Sequence, residues 1–99
     1  MKRALILRPS ARKDIADGDK WYEGKSQGLG DRFLLEVQRC LGYILANPSG
    51  FQRVHEQFRQ APLKVFPYVI IYRLDGDVIV VMRVFHTSQH PRKRFRKWK

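Results

Sequence analysis

RQAPLKVFPYVIIYRLDGDVIVVMRVFHTSQHP, residues 59–91, is the stretch that decides the fold. Two apolar runs, Val65 to Tyr72 and Val78 to Phe85, flank Asp75-Gly76. An Asp-Gly pair between β-branched and aromatic runs predicts a tight hairpin turn. The second run, Val78-Ile79-Val80-Val81-Met82, does not alternate with polar residues, which describes a strand covered on both faces or paired centrally.

Upstream of the hairpin the pattern changes from a period of two to one of about 3.6. Phe33, Val37, Cys40, Leu41 and Ile44 share one face of a helix over 31–46, with Arg32, Glu36 and Arg39 on the other, and Asn47-Pro48 ends it. Three glycines between Gly24 and Gly30 break this helix from an earlier one, whose stripe is Ala11, Ile15, Gly18 and Tyr22 and for which Ser10 is the expected N-cap. Ala4 to Leu7 is a short apolar run that Pro9 halts, so a first strand is expected over 2–8. After the helices, Val54 to Arg59 is a weak strand candidate, while Leu63 to Leu74 and Asp77 to His86 are stronger ones. Two helices joined by a short turn lie roughly antiparallel and need a sheet to cover their apolar faces.

Ninety-nine residues suffice for one core and one domain. The single Cys40 cannot form an intramolecular disulfide and falls on an apolar helical stripe, so a reduced, buried thiol is expected, as in a cytoplasmic protein. No apolar run approaches the roughly 18 residues that span a bilayer, and no targeting segment is legible. The formal charge is +11, and it is uneven: residues 1–50 carry nine basic and six acidic side chains, residues 51–99 eleven and three. Six of the positive charges, Arg92, Lys93, Arg94, Arg96, Lys97 and Lys99, fall in the last eight residues. Such a field calls for an acidic partner rather than a membrane. The same tail carries Phe95 and Trp98 at i, i+3, a spacing that lets a short helix dock two rings and expose its charges.

The order strand, helical hairpin, then three antiparallel strands resembles the RelE/ParE superfamily of bacterial toxins over nearly the whole chain. The landmarks are Ala11 to Ile15 opening the first helix, Trp21-Tyr22 near its end, Leu29-Gly30 with Phe33 entering the second, and Asn47-Pro48 closing it. Arg59, Phe66-Pro67-Tyr68, Tyr72 and His86 add the hairpin to the pattern. The resemblance implies an α+β domain over 1–91, a small sheet covered by the two helices, with 92–99 as a basic C-terminal tail. It also implies the toxin component of a type II toxin-antitoxin, or plasmid stabilization, system. Its cognate antitoxin would carry an acidic segment that folds on binding, and Arg92, Lys93, Arg94, Arg96, Lys97 and Trp98 are the expected partner-binding residues. No cofactor is implied.

The superfamily divides by mechanism. ParE-like members poison DNA gyrase, whereas RelE-like members cut messenger RNA on the ribosome. Cleavage through a 2′-hydroxyl needs a base, cations for the phosphorane and an acid for the leaving oxygen. Here Glu56 offers a base, Arg59, Arg73 and Arg83 offer clamps, and His86 offers a base or acid. Arg59 and His86 fall at positions resembling active-site positions of the nucleases. Yet Arg83 and His86, three apart, diverge on a regular strand unless a bulge near Phe85 intervenes. Lys64 is a lone candidate for the lysines of nuclease sites, and Thr87 stands after His86 where a second aromatic is common. Phe66-Pro67-Tyr68 and the His86 to Pro91 ending look more ParE-like, so gyrase is the expected target. The alternatives are a ribosome-dependent endoribonuclease using His86, Arg59, Arg83 and Glu56, and a basic nucleic-acid-binding domain.

Plainer readings accompany these residues. His86 at a strand end can simply hydrogen-bond a neighbouring loop, and arginines on small sheets commonly pair with carboxylates. His86 and His90 have metal-binding spacing, but Pro91 and the lack of a third ligand leave no metal site. Trp21, Tyr22, Tyr68 and Tyr72 read as core or interface aromatics rather than a base-stacking set.

Overall fold

The computed structural model describes residues 3–88. His90, Pro91 and the tail from Arg92 lie outside the described residues. The chain enters as β1 (Ala4–Leu7), turns at Pro9 into α1 (Pro9–Lys25), and reverses into α2 (Leu29–Ala46). It continues as β2 (Gln52–His55), β3 (Phe58–Pro62), β4 (Tyr68–Asp75) and β5 (Val78–His86). The five strands form one sheet in the order β1-β5-β4-β3-β2, with β1 parallel to β5 and the other pairs antiparallel. The α+β expectation therefore holds, with a mixed sheet and one strand more than the sequence suggested.

The extra strand comes from dividing the weak 54–59 segment. His55 pairs with Phe58 across a tight turn, where Glu56 adopts a φ of 50° and its carbonyl accepts from Nε and Nη2 of Arg53. The expected strand from Leu63 instead begins at Tyr68. Pro62 and Pro67 cannot donate to a ladder, and the intervening loop closes on itself through Leu63 N to Tyr68 O and Tyr68 N to Phe66 O. The hairpin between β4 and β5 forms as expected. Its two-residue loop is Gly76-Asp77, one position later than the Asp-Gly reading, and Gly76 supplies the positive φ of 60° that such a loop demands.

Alternation along β4 and β5 sorts side chains onto two faces. Ile70, Tyr72, Ile79, Val81 and Val84 join Ala11, Phe33, Val37, Cys40 and Ile44 in a core between sheet and helices. Gly18 makes the helix pairing possible, because a Cβ there would lie 2.6 Å from Cζ of Phe33. That close approach outweighs the cost of glycine in a helix. Glu23 of α1 caps α2 by accepting from the amides of Gly28 and Gly30, each at 3.0 Å. Glu36, expected on the solvent face, is buried with only 9% of its surface exposed and lies 3.5 Å from Nη1 of Arg39.

β5 is the strand on which the architecture converges. β1 covers its free edge only from Val78 to Val81. Beyond that point the first turns of α1 take over: Arg8 N donates to Val81 O, the Ser10 hydroxyl to Met82 O at 2.8 Å, and Val84 N to the Asp14 carboxylate at 2.9 Å. An open edge is thereby satisfied without another strand. Ser10 consequently does not cap its helix. Arg8 occupies the N-cap, and Pro9 at the start of α1 surrenders an amide that had no helical partner. Asp14 also receives Nε and Nη2 of Arg83 at 2.7 and 2.9 Å, a two-point contact that raises the guanidinium pKa chiefly through the hydrogen bond.

Two outcomes follow from this packing. Asp14→Ala strands the half-buried Arg83 and the Val84 amide together, so denaturant unfolding should show a loss of about 3 kcal/mol. Asp14→Asn, which retains an acceptor, should lose less, and a loss below ~0.5 kcal/mol for the alanine variant would contradict the edge-capping role. Burial, with the Glu36 carboxylate behind it, pushes the Cys40 thiol from 9.0 up to about 11. Burial likewise pushes the Tyr72 phenol from 10.0 up to about 12, against the Arg59 charge. Both groups hold their protons more tightly when folded, so their contribution is complete below the unfolded values and is lost as pH rises through 9 to 11 and 10 to 12. The melting midpoint should begin to fall above pH 9, and Cys40→Val should soften the first part of that fall; a midpoint unchanged to pH 11 would contradict it.

Candidate functional site

The hairpin residues singled out by sequence do not converge. Arg59 pairs with Tyr72 on the helix side of the sheet, and its Nη1 donates to Phe51 O at 2.7 Å and Ser49 O at 3.2 Å. The Tyr72 hydroxyl donates to Pro48 O at 2.7 Å. Together these cross-strand neighbours fasten the connection from α2 to β2.

His86 lies at the other end of β4, opposite Tyr68. Four residues along the strand and two strand spacings across put Arg59 and His86 roughly 16 Å apart. The His86 ring meets Tyr68 edge-on at 5.1 Å, and its Nδ1 accepts from Ser88 N at 3.1 Å, with Ser88 Oγ at 2.7 Å. Glu56 occupies the β2–β3 turn at the end of the sheet remote from His86, with Oε1 at 3.4 Å from Nε2 of its neighbour His55.

The bulge that could have aligned Arg83 with His86 is present but misplaced for that purpose. Register slips between Ile71 and Tyr72, so that Met82 is the extra residue and Arg83 pairs with Ile71. From Arg83 to His86 the strand is regular, and the two side chains leave opposite faces. Arg83 lies over the Phe85 ring at 4.3 Å and reaches Asp14 past the strand edge. Arg73, also on the face away from the helices, lies 3.4 Å from the exposed Asp75 carboxylate.

Around His86 is a hollow of about 250 Å³ lined by Asp14, Asp17, Trp21, Tyr68 and Val84 among others. Its acidic groups are already engaged, Asp14 by Arg83 and Asp17 by Lys13 at 2.8 Å. Tyr22 meets Phe66 edge-on and Phe33 at a tilt, and Tyr68 meets Phe33 edge-on, as core aromatics with polar tips. Burial raises both phenols, so they are neutral at physiological pH. Trp21 departs from the core reading: it is exposed, with Lys25 Nζ 4.2 Å from its ring.

A surface that the sequence did not reveal runs along α2. A trough of about 280 Å³ lined by Cys40, Tyr43, Phe51 and Leu63 adjoins one of about 210 Å³ lined by Leu35, Val65 and Phe66, and the two share Glu36 and Arg39. Leu35, Tyr43 and Val65 are more than half exposed along it. Arg32, Arg39 and Lys64 stand on the rim. Leu35, Arg39 and Tyr43 recur every four residues, a helical stripe flanking the core stripe, which is the one signal in the sequence that could have pointed here. The apolar side chains of the lining, with Arg32, Arg39 and Lys64 beside them and Glu36 paired with Arg39 where the troughs meet, suit an amphipathic, acidic peptide segment.

Solved structures with this architecture include chains of toxin-antitoxin complexes. The chromosomal ParDE system from P. aeruginosa includes a chain that superposes with a TM-score of 0.67 at 17% identity, covering 87% of this chain and 97% of that one. The RelBE2 toxin-antitoxin complex from Mycobacterium tuberculosis gives 0.60 at 17% identity, over 87% and 99%. The E. coli DinJ-YafQ complex gives 0.61 at 13% identity, over 87% and 93%. At these identities the likeness is one of fold. No curated protein matches the sequence. The family model for the ParE toxin of the type II toxin-antitoxin system parDE matches residues 5–91, from β1 through the hairpin and past its last strand. That match, on the fold just described, makes the chain a member of the ParE toxin family within the RelE/ParE superfamily.

Proposed function

We propose that this toxin-family protein inhibits growth by binding DNA gyrase, without cutting RNA itself, and that a cognate antitoxin neutralises it. The observation that carries the mechanism is the dispersal of the hairpin's titratable and cationic groups. Arg59 is committed to two carbonyls, Arg83 to Asp14, Glu56 lies at the opposite end of the sheet from His86, and Arg83 and His86 leave opposite faces. General acid-base cleavage needs its groups within hydrogen-bond reach of one phosphate, directly or through one water. The ParE match supports the same side of the division.

The antitoxin is an acidic segment whose apolar side chains enter the α2 trough while its carboxylates meet Arg32, Arg39 and Lys64. The solved relatives are complexes with antitoxins, and the charge of +11 supplies the long-range attraction.

Expression in cells, with gyrase supercoiling, DNA breaks and A-site messenger cleavage followed together, tests the target. Gyrase inhibition without cleavage is expected; messenger cleavage that Arg59→Ala or His86→Ala reduces a hundredfold or so, with gyrase untouched, would establish the nuclease instead. Binding to nucleic acid without growth arrest would make the chain a basic binder. For the antitoxin, Leu35→Asp with Val65→Asp should weaken binding by about tenfold or more at unchanged thermal stability, since both side chains are exposed. Affinity should also fall as salt rises. Unchanged affinity in the double variant would remove the trough from the interface.

A further inference from the structure

Among the described residues Glu36 is the only buried charged side chain, and its carboxylate accepts no hydrogen bond. Nη1 of Arg39 stands 3.5 Å away, on a side chain that is 60% exposed, so water screens the pair. Cys40, one turn along α2, offers no donor, because its thiol is directed at the carbonyls of Ala61 and Pro62, 3.8 Å from each. A carboxylate has room for about four donors, and a buried one without them carries the full penalty of lost hydration. Glu36 is nonetheless within reach of a ligand, since it lines both troughs at the place where they meet.

We infer that the larger trough is a pocket for an aromatic ring bearing one neutral donor, an indole or a phenol, whose N–H or O–H is received by the Glu36 carboxylate. The walls are apolar and partly aromatic, with Cys40, Tyr43, Phe51 and Leu63 around the space. Its volume of about 280 Å³ suits one ring-sized group and falls short of the roughly 300–1,000 Å³ of sites for drug-sized ligands. The donor is neutral rather than cationic. Arg39 and Lys64 line the same trough and Arg32 the adjoining one, so positive charge there already exceeds the single carboxylate. Tyr43 in addition holds Nζ of Lys64 at 5.8 Å from its ring centre, and a further cation would meet repulsion from all of these. Glu36 lacks donors, not opposite charge. Tryptophan and tyrosine are the side chains that join a large apolar body to one polar tip in need of a partner, and they are frequent anchors of interfaces. Where an antitoxin segment occupies the trough, a step that rests on the function proposed above, this ring is its anchor residue.

3-Methylindole and 1-methylindole, isomers of one size that differ in whether the nitrogen carries hydrogen, test the pocket on the full-length chain by NMR. 3-Methylindole should shift the Glu36 carboxyl carbon and the Tyr43 and Leu63 amides saturably, and 1-methylindole should bind about tenfold more weakly. Butylguanidine, with an arginine-like head, should also bind more weakly than 3-methylindole. Equal affinity of the two isomers, no saturable shift at these residues, or a preference for butylguanidine would overturn the inference. Glu36→Met keeps the length of the side chain and removes the acceptor, so it should bind the two isomers alike, with a melting midpoint no lower than that of the parent chain. A preference for 3-methylindole that survives in this variant would show that the N–H is received elsewhere. The isomer comparison is made on the unaltered chain and stands whether or not the variant folds. None of these titrations contains the antitoxin, so their failure is distinct from that of the trough as its interface, which the Leu35→Asp, Val65→Asp variant reads. An antitoxin that binds without displacing 3-methylindole would overturn the anchor assignment.

Discussion

The strand β5 is the constraint on which this protein depends. It is bonded to β4 along one edge, to β1 along half of the other, and to the first turns of α1 along what remains. A strand buried on both faces has no solvent to satisfy its backbone, so each unpaired group on its edge needs a partner within the fold. Asp14 meets this need for Val84 and anchors Arg83 in the same contact. The parallel β1, the early start of α1 at Pro9 and the redirected Ser10 hydroxyl are all consequences of closing that edge.

The same principle explains why residues of catalytic type became structural ones. A 99-residue domain has a small core, and its arginines are drawn into holding the connections around it. Arg59 and Tyr72 tie down the turn after α2, and Arg53 closes the β2–β3 hairpin. A guanidinium already donating to carbonyls can still contribute a positive potential, but its fork is no longer free to clamp a phosphate. The family's division between gyrase poisoning and RNA cleavage can thus be approached through the commitments of individual side chains.

Charge and apolar surface are distributed differently over the molecule. The positive excess is concentrated in the second half of the chain, whereas Leu35 and Tyr43 of α2, with Val65 of the β3–β4 connection, expose apolar surface along a trough rimmed by cations. An apolar stripe bordered by like charges resists association with another basic molecule and favours an acidic amphipathic one. For the antitoxin proposed above, partner selectivity would come from the rim and most of the binding energy from the floor.

Several features were legible in the sequence because they depend on local periodicity. The Asp-Gly hairpin, the α2 core stripe from Phe33 to Ile44, the burial of Cys40 and the unbroken apolar run of β5 are of this kind, and the landmarks of the family lie on them. What tertiary structure alone decided involves partners far apart in the chain. The pairing of β1 with β5, the Asp14–Arg83 contact across 69 positions, and the bulge at Met82 that sets Arg83 opposite Ile71 are all long-range matters. So is the burial of Glu36, which periodicity put in solvent. Side-chain period fixes which residues turn inward on a single element; only the closing of the sheet determines which of them meet.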